Sequence, residues 1–419
     1  MFFHPIGIFG VSCPRMRACS ALALGCAGLL TLAGCSDDGG SGGDGASADG
    51  TGGSGDGGPG DGGSASGSPT GGGPGPADGS DTGNGTATDD GPDPDSGSDS
   101  GATAWGAHCP GEPAYELGTP IWVGGGGVDG RVSVTLDGET WTDATTASLG
   151  PIDVGHTRNL IRGVGYGGGT FVVVGGYDNG YVSISCDGVT WDRDVLGTNI
   201  EGELPAPYTD FLSDVAYLDG VFVAAGGAGA RLTSTDMGLT WTPTHEYESG
   251  HFRGIATGNG RFVATGHTWG TGESMTTTST DGMTWTPVLL QPGELGGVVF
   301  GDGVFVSTGG TRCATTTDGE AWTDCALPSI PDTIAGAEFT NGTFYVQFLD
   351  GQYATSDDGL AWSALQDGWL PDTFQYGEDR YVMARWGARG WSTTVGDWNE
   401  VSFPPEEGLS QVVFGYVGG

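Results

Sequence analysis

The sequence predicts an all-β fold: a seven-bladed β-propeller of four-stranded blades, carried behind a long flexible segment. Three observations predict it. A short turn motif ending in tryptophan occurs six times in the last three-quarters of the chain. A hairpin motif precedes most of its copies. A strand-like segment at the C-terminus matches an inner strand that the first copy lacks.

The turn motif reads [ST]-x-D-G-x-[TA]-W in Thr135–Trp141, Ser185–Trp191, Ser279–Trp285, Thr316–Trp322 and Ser356–Trp362, and is one residue longer in Ser234–Trp241. Each residue type has a mechanical reason. Asp accepts hydrogen bonds from backbone N–H groups just ahead of it, and Gly takes positive φ without a Cβ clash. Trp then starts the outgoing strand and buries a large apolar area. Asp137, Asp187, Asp236, Asp281, Asp318 and Asp358 are therefore turn-builders. Each motif supplies one or two carboxylates, too few for a hard-cation cage, so no metal site is expected there.

The motif tryptophans lie 50, 50, 44, 37 and 40 residues apart, the spacing of propeller blades. Between them recurs G-x-G-x-F-V or a near variant, at Gly167, Leu218, Gly258, Gly301, Thr340 and Gly377. Each is a tight Gly/Asn/Asp turn between two apolar runs, the signature of a hairpin. One blade thus reads as four strands, in the second blade Leu160–Tyr166, Thr170–Gly175, Tyr181–Cys186 and Thr190–Val195. Runs such as Phe171–Val174 are apolar without alternation, which suits a sheet covered on both faces. The last repeat has a degenerate turn, Thr393–Trp398.

The six turns resemble the Asp-box, or bacterial neuraminidase repeat, of sialidases, sortilin-type receptors, some xyloglucan-degrading enzymes and a photosystem II assembly factor. The resemblance covers the chain from about residue 120 onward. It implies that each box sits on the turn between the third and fourth strands of a blade, on the face opposite the usual ligand face. It does not imply one function, since these relatives bind and cleave different things.

Ring closure is expected from one match. Only Ile121–Gly125 precedes the first box as a strand, whereas Leu409–Gly415 matches Leu295–Gly301 at five of seven positions. The C-terminus should therefore return as the inner strand of blade one and leave no open edge.

Ahead of the propeller, expected at 104–419, lie two other segments. In residues 1–35, Arg15 and Arg17 precede a short apolar run that ends Leu32-Ala33-Gly34-Cys35, similar to the lipobox of bacterial lipoproteins. Cys35 is the expected lipidation site. Met1 and Met16 are both candidate starts. Residues 36–103 hold thirteen Asp and no basic residue among Gly, Ser, Thr, Pro and Ala, the composition of an extended acidic tether.

With 52 acidic residues against 13 basic ones, all Arg, the net charge is −39. That argues against nucleic acid, whose affinity for proteins comes mainly from Lys and Arg. Four cysteines remain in the globular part. Cys313 and Cys325 flank one box symmetrically and are expected to form a disulfide; Cys109 and Cys186 would form the second. No Cys or His spacing suggests zinc, and no cofactor is expected.

Departures from the repeat locate candidate ligand residues. Arg162 and Arg253 share one repeat position, at the head of innermost strands, where Ser213, Gly296, Ala335, Asp372 and Ser410 stand in other blades. Two arginines there suit a carboxylate; the competing reading is local salt bridging to surplus acid. Two loops joining second and third strands are rich in polar and aromatic groups: His267–Glu273, with His267 and Trp269, and Arg385–Trp391, with Arg385, Trp386 and Arg389. Tyr177-Asp178 and Glu246-Tyr247 are secondary candidates. His156, His245 and His251 read as solvated loop residues. Tyr376 falls at a repeated aromatic position and reads as core.

The function expected is that of a non-catalytic lipoprotein of the bacterial cell envelope, outer membrane or surface, whose propeller face binds a glycan or protein. Its partners would be the membrane, through the lipid anchor, and that ligand, with the chain acting as a monomer. The alternatives are a divergent sialidase-like glycoside hydrolase, for which Arg162, Arg253 and Arg389 would have to form a triad, and an envelope assembly or scaffold factor. No catalytic set is recognisable, and no Arg-Ile-Pro motif of the sialidase kind occurs.

Overall fold

The computed structural model describes residues 105–126, 130–145, 160–176, 180–191, 194–196, 211–244, 248–385, 387–404 and 408–418. The signal segment, Cys35 and the tether lie outside the described residues, as do Tyr177-Asp178, Glu246-Tyr247, His156, His245 and Trp386.

Seven four-stranded antiparallel sheets make up the described chain. Blade one takes β1 (Pro120–Gly126), β2 (Arg131–Thr135) and β3 (Trp141–Thr145). Blade two is β4 (Ile161–Gly167), β5 (Thr170–Gly175), β6 (Tyr181–Ser185) and β7 (Asp194–Leu196). Blade three is β8 (Leu212–Leu218), β9 (Val221–Gly226), β10 (Arg231–Ser234) and β11 (Thr242–Pro243); blade four is β12 (Gly250–Gly258), β13 (Arg261–Thr268), β14 (Ser274–Ser279) and β15 (Leu289–Gln291). Blade five is β16 (Val298–Gly301), β17 (Val304–Gly309), β18 (Arg312–Thr316) and β19 (Thr323–Asp324); blade six is β20 (Ile334–Thr340), β21 (Thr343–Phe348), β22 (Gln352–Ser356) and β23 (Gln366–Asp367). Blade seven is β24 (Thr373–Gly377), β25 (Arg380–Arg385), β26 (Ala388–Ser392) and β27 (Asn399–Ser402). The last strand, β28 (Gln411–Tyr416), pairs with β1 and completes blade one in the order β28-β1-β2-β3.

The predicted closure is thus present: Val412 faces Gly124 and Phe414 faces Trp122 across the ladder. Leu409 and Val412 are buried with Trp122, Val382 and Ala384, between blades seven and one. The other clusters likewise fill the spaces between neighbouring blades, for example Val172, Val174 and Ile184 of blade two against Leu212, Phe222 and Leu232 of blade three. The middle strands β5 and β6 are buried throughout, whereas outer β23 and β27 are exposed. This is why the middle strands read as unbroken apolar runs.

Two turn chemistries set the register. The six hairpins between first and second strands place two successive residues at positive φ, such as Asn259 (48°) and Gly260 (69°), or Asn341 (50°) and Gly342 (74°). That is the type I′ geometry that fits the twist of a two-residue hairpin. On the five shorter box turns, Asp Oδ1 accepts the N–H groups two and three residues on, as Asp281 does from Met283 and Thr284 at 2.8 and 2.7 Å, and on the longer turn Asp236 Oδ1 accepts from Thr240 N four residues on. The preceding Ser or Thr hydroxyl donates to the same oxygen, and in five boxes the indole Nε1 donates to the box Gly carbonyl. Backbone donors hold Asp281, Asp318 and Asp358 below the usual carboxylate range. These carboxylates are used on their own turns.

Asp187 does more. Its Oδ2 accepts from Ala114 N at 2.8 Å, which ties the segment leading into β1 to blade two. A Cys109–Cys186 disulfide fastens the same segment, and Cys313–Cys325 crosslinks β18 to the residue after β19. Strand boundaries in blade two match the sequence reading for β5 and differ by at most four residues elsewhere. The largest difference is β7, which starts at Asp194 rather than Thr190, because the turn residues through Thr190 are held by Asp187.

Candidate functional site

The first strands of blades two, three, four and six carry a β-bulge near their start, where the register slips between Ile161 and Gly163, Leu212 and Asp214, Phe252 and Gly254, and Ile334 and Gly336. The extra residues are Arg162, Ser213, Arg253 and Ala335. A bulge leaves its residue out of the ladder and re-aims the side chain. The shared repeat position of the two arginines is therefore a backbone feature, and Ser213 of blade three stands between them along the ring.

Phe211, just before β8, joins the two arginines. The Arg162 guanidinium carbon lies 4.5 Å from its ring centroid and that of Arg253 lies 5.9 Å away. Arg162 Nε also donates to the Gly176 carbonyl at 3.1 Å. Arg253 makes no hydrogen bond or ion pair among the described residues. Burial and then the charge of Arg162 push it down to about 10, with Glu294 acting the other way. The Ser213 hydroxyl is buried without a hydrogen-bond partner among the described residues.

Beside them runs a chain of rings. Trp269 Nε1 donates to His251 Nδ1 at 2.8 Å, His251 Nε2 meets His267 Nε2 at 2.9 Å, and His267 Nδ1 lies 3.4 Å from the Leu295 carbonyl. The indole is 42 % exposed. Burial, then the charges of Arg253, His267 and Arg162, push His251 down to about 3. Burial and Arg253 also lower His267.

The structure therefore brings together Arg162, Arg253, His267 and Trp269. It adds three groups that the sequence reading missed. Phe211 and Ser213 carried no signal beyond their repeat positions. His251 was expected to be a solvated loop residue; it is instead a buried residue of β12, which begins at Gly250 and pairs His251 with His267.

Arg385 and Arg389 lie in blade seven, away from this cluster. Arg385 pairs with Glu400 on the outer strand β27. Arg389 is a correction to the ligand-site reading: it is a residue of β26 rather than of a loop, and it is 1 % exposed. Its guanidinium bonds Asp143 Oδ1 of blade one at 2.9 Å and stacks 4.0 Å from the Phe403 ring. It joins blades seven and one, so it does not complete an arginine triad. Tyr376 stacks on Tyr381 beside the hairpin turn, at the end of the strand opposite the bulges. A groove of about 370 Å³ between blades five and six, lined by Thr316, Thr323, Cys325 and Leu360, lies among the box turns.

Fold and topology define the chain as a seven-bladed β-propeller. No protein-family model matches it, and no curated protein matches it. Among solved structures it is similar to a protein from Lactobacillus plantarum, at 13 % identity and a TM-score of 0.50 over 71 % of this chain and 99 % of that one. It is also similar to YCF48 bound to D1 peptide (18 %, TM-score 0.44, 61 % and 83 %) and to virginiamycin B lyase from Staphylococcus aureus (13 %, TM-score 0.45, 58 % and 84 %). At these identities the likeness is one of fold.

Proposed function

We propose that the protein is a non-catalytic, lipid-anchored member of the Asp-box propellers in the bacterial cell envelope, and that the mouth formed by blades two to four captures a glycan or protein ligand through an anionic group. The observation that carries this reading is Arg253. The chain has 52 acidic residues, yet among the described residues this half-buried guanidinium forms no ion pair, Glu294 acting on it only from beyond contact distance. Burying a cation without a counter-ion is costly. The cost is understandable if a ligand supplies the anion, with Arg162 and the Ser213 hydroxyl beside it. Trp269 offers an apolar face for a sugar ring or side chain. Lipidation at Cys35 and the acidic tether 36–103 would hold this face out from the membrane.

A glycan array and an envelope pull-down with the full chain test the reading. A ligand retained by wild type and lost in Arg253→Gln is expected. No retained ligand, together with hydrolysis of a fluorogenic glycoside that Arg162→Ala and Arg253→Ala abolish, would replace it with a glycoside hydrolase.

A further inference from the structure

Resting on that reading, we propose that the arginine mouth takes up its oxyanion together with one proton, which the His251–His267 pair accepts while releasing Trp269.

The hydrogen-bond directions carry the inference. An indole N–H only donates, so His251 Nδ1 accepts from Trp269 and the proton of His251 is on Nε2. That proton points at His267 Nε2, which must be bare, so His267 carries its own proton on Nδ1 toward the Leu295 carbonyl. The chain Trp269→His251→His267→Leu295 runs one way, and both imidazoles are neutral. Two imidazole nitrogens 2.9 Å apart also suggest a metal, but the Trp269 donor leaves His251 without a lone pair on Nε2.

One added proton reverses the His251–His267 link and leaves the His267 Nδ1–H on the Leu295 carbonyl. A protonated His267 donates from Nε2 to His251 Nε2, which moves the His251 proton to Nδ1, where it faces the indole N–H. Trp269 must then give up this bond. It is half exposed, and its loop contains Gly270 and Gly272 at positive φ.

The charges around the pair explain why the anion and the proton belong together. Burial is the first obstacle to a charged imidazole here; Arg253 on β12 adds to it at both histidines and Arg162 on β4 at His251, whereas Glu294, ahead of β16, favours a charge at His267. An anion between the arginines cancels their opposition and leaves an imidazolium as a further cation beside it. By linkage, a proton that the anion favours must favour the anion equally. Affinity therefore rises as pH falls, by at most about tenfold per pH unit for one proton.

Sulfate is the probe, since its charge stays fixed over the range. It is titrated calorimetrically into the full chain at about pH 7.5 and about pH 5.5, in two buffers of different protonation heat. Tighter binding at the lower pH is expected, with a buffer-dependent heat that reports proton uptake and a fluorescence change absent in Trp269→Phe. A His251→Gln/His267→Gln variant should bind sulfate with no such dependence. Equal wild-type affinity and heat in all conditions would overturn the proposal, as would a pH dependence that persists in the histidine variant. The buffer comparison on wild type needs no substitution. Absence of sulfate binding at both pH values, or binding that survives Arg162→Gln/Arg253→Gln, would remove the anion site itself, and the proton coupling with it.

Discussion

Phe414, in the last strand of the chain, and Trp122, in the first, hold their ring centroids 4.9 Å apart within one sheet. This contact joins the two ends of the described chain. Around it, Gly377 of blade seven lies against the Phe414 ring and Gly415 against Tyr166 of blade two, with no room for a Cβ at either glycine. Removing residues 409–419 takes away the buried side chains of Leu409, Val412 and Val417, whose burial is worth about 1.5–3 kcal/mol each. Their sum is comparable with a domain's whole stability. The truncated chain should melt far lower, and an unchanged thermal melt would refute the closure.

The box glycines combine a turn with a close approach between blades. Gly188 has φ +71°, and a Cβ there would stand 2.6 Å from Val123 and 2.8 Å from Val134 of blade one. Gly220, in a hairpin turn, has φ +89° with nothing within 4 Å. Gly220→Ala should cost only backbone strain, about 1 kcal/mol. Gly188→Ala should cost about 2–4 kcal/mol, since strain adds to overpacking. Denaturant midpoints of the two variants check the ranking.

The two disulfides close loops of very different length, spanning 12 residues for Cys313–Cys325 and 77 for Cys109–Cys186. Chain-entropy reasoning gives about 3 kcal/mol for the first and about 4.5 kcal/mol for the second. Replacing Cys109 and Cys186 by Ala should therefore lower the melt more, and should open residues 105–118 to proteolysis. Limited proteolysis with mass mapping reads the second effect.

Loss of water raises the half-buried Glu338 to about 8, with a Thr373 hydrogen bond opposing and the Asp214 charge nearby adding to it. Between the unfolded carboxyl value and about 8 the folded protein holds a proton that the unfolded chain has lost, so stability falls as pH rises through this window. Glu338→Gln should raise the melting temperature at neutral pH and leave it nearly unchanged at about pH 4. A gain of equal size at both values would contradict this account of Glu338.

Much of the ring was legible because its turns are local chemistry. Asp, Gly and Trp at fixed spacing report hydrogen bonds made within a few residues of each other. Arg162 and Arg253 were legible as departures from a repeat. His251 was not, because its pairing with His267 depends on the bulge at Arg253. Counting back from the Asn259-Gly260 turn without that bulge places His267 opposite Phe252. Arg389 was misread because Trp386 and its neighbours look like a rich loop, whereas the strand resumes at Ala388 and turns the guanidinium onto Asp143. Contacts between blades are long-range and leave no mark on local spacing.

The most direct measurement of the central claim is equilibrium binding of matched probes to wild type and to Arg162→Gln/Arg253→Gln. Each pair consists of an acidic and a neutral oligosaccharide, or of a peptide with a free and an amidated carboxyl terminus. The acidic member of at least one pair should bind about tenfold or more tightly, in line with a charge-assisted arginine contact, and the difference should vanish in the variant. Equal binding of acidic and neutral members to wild type would contradict the account.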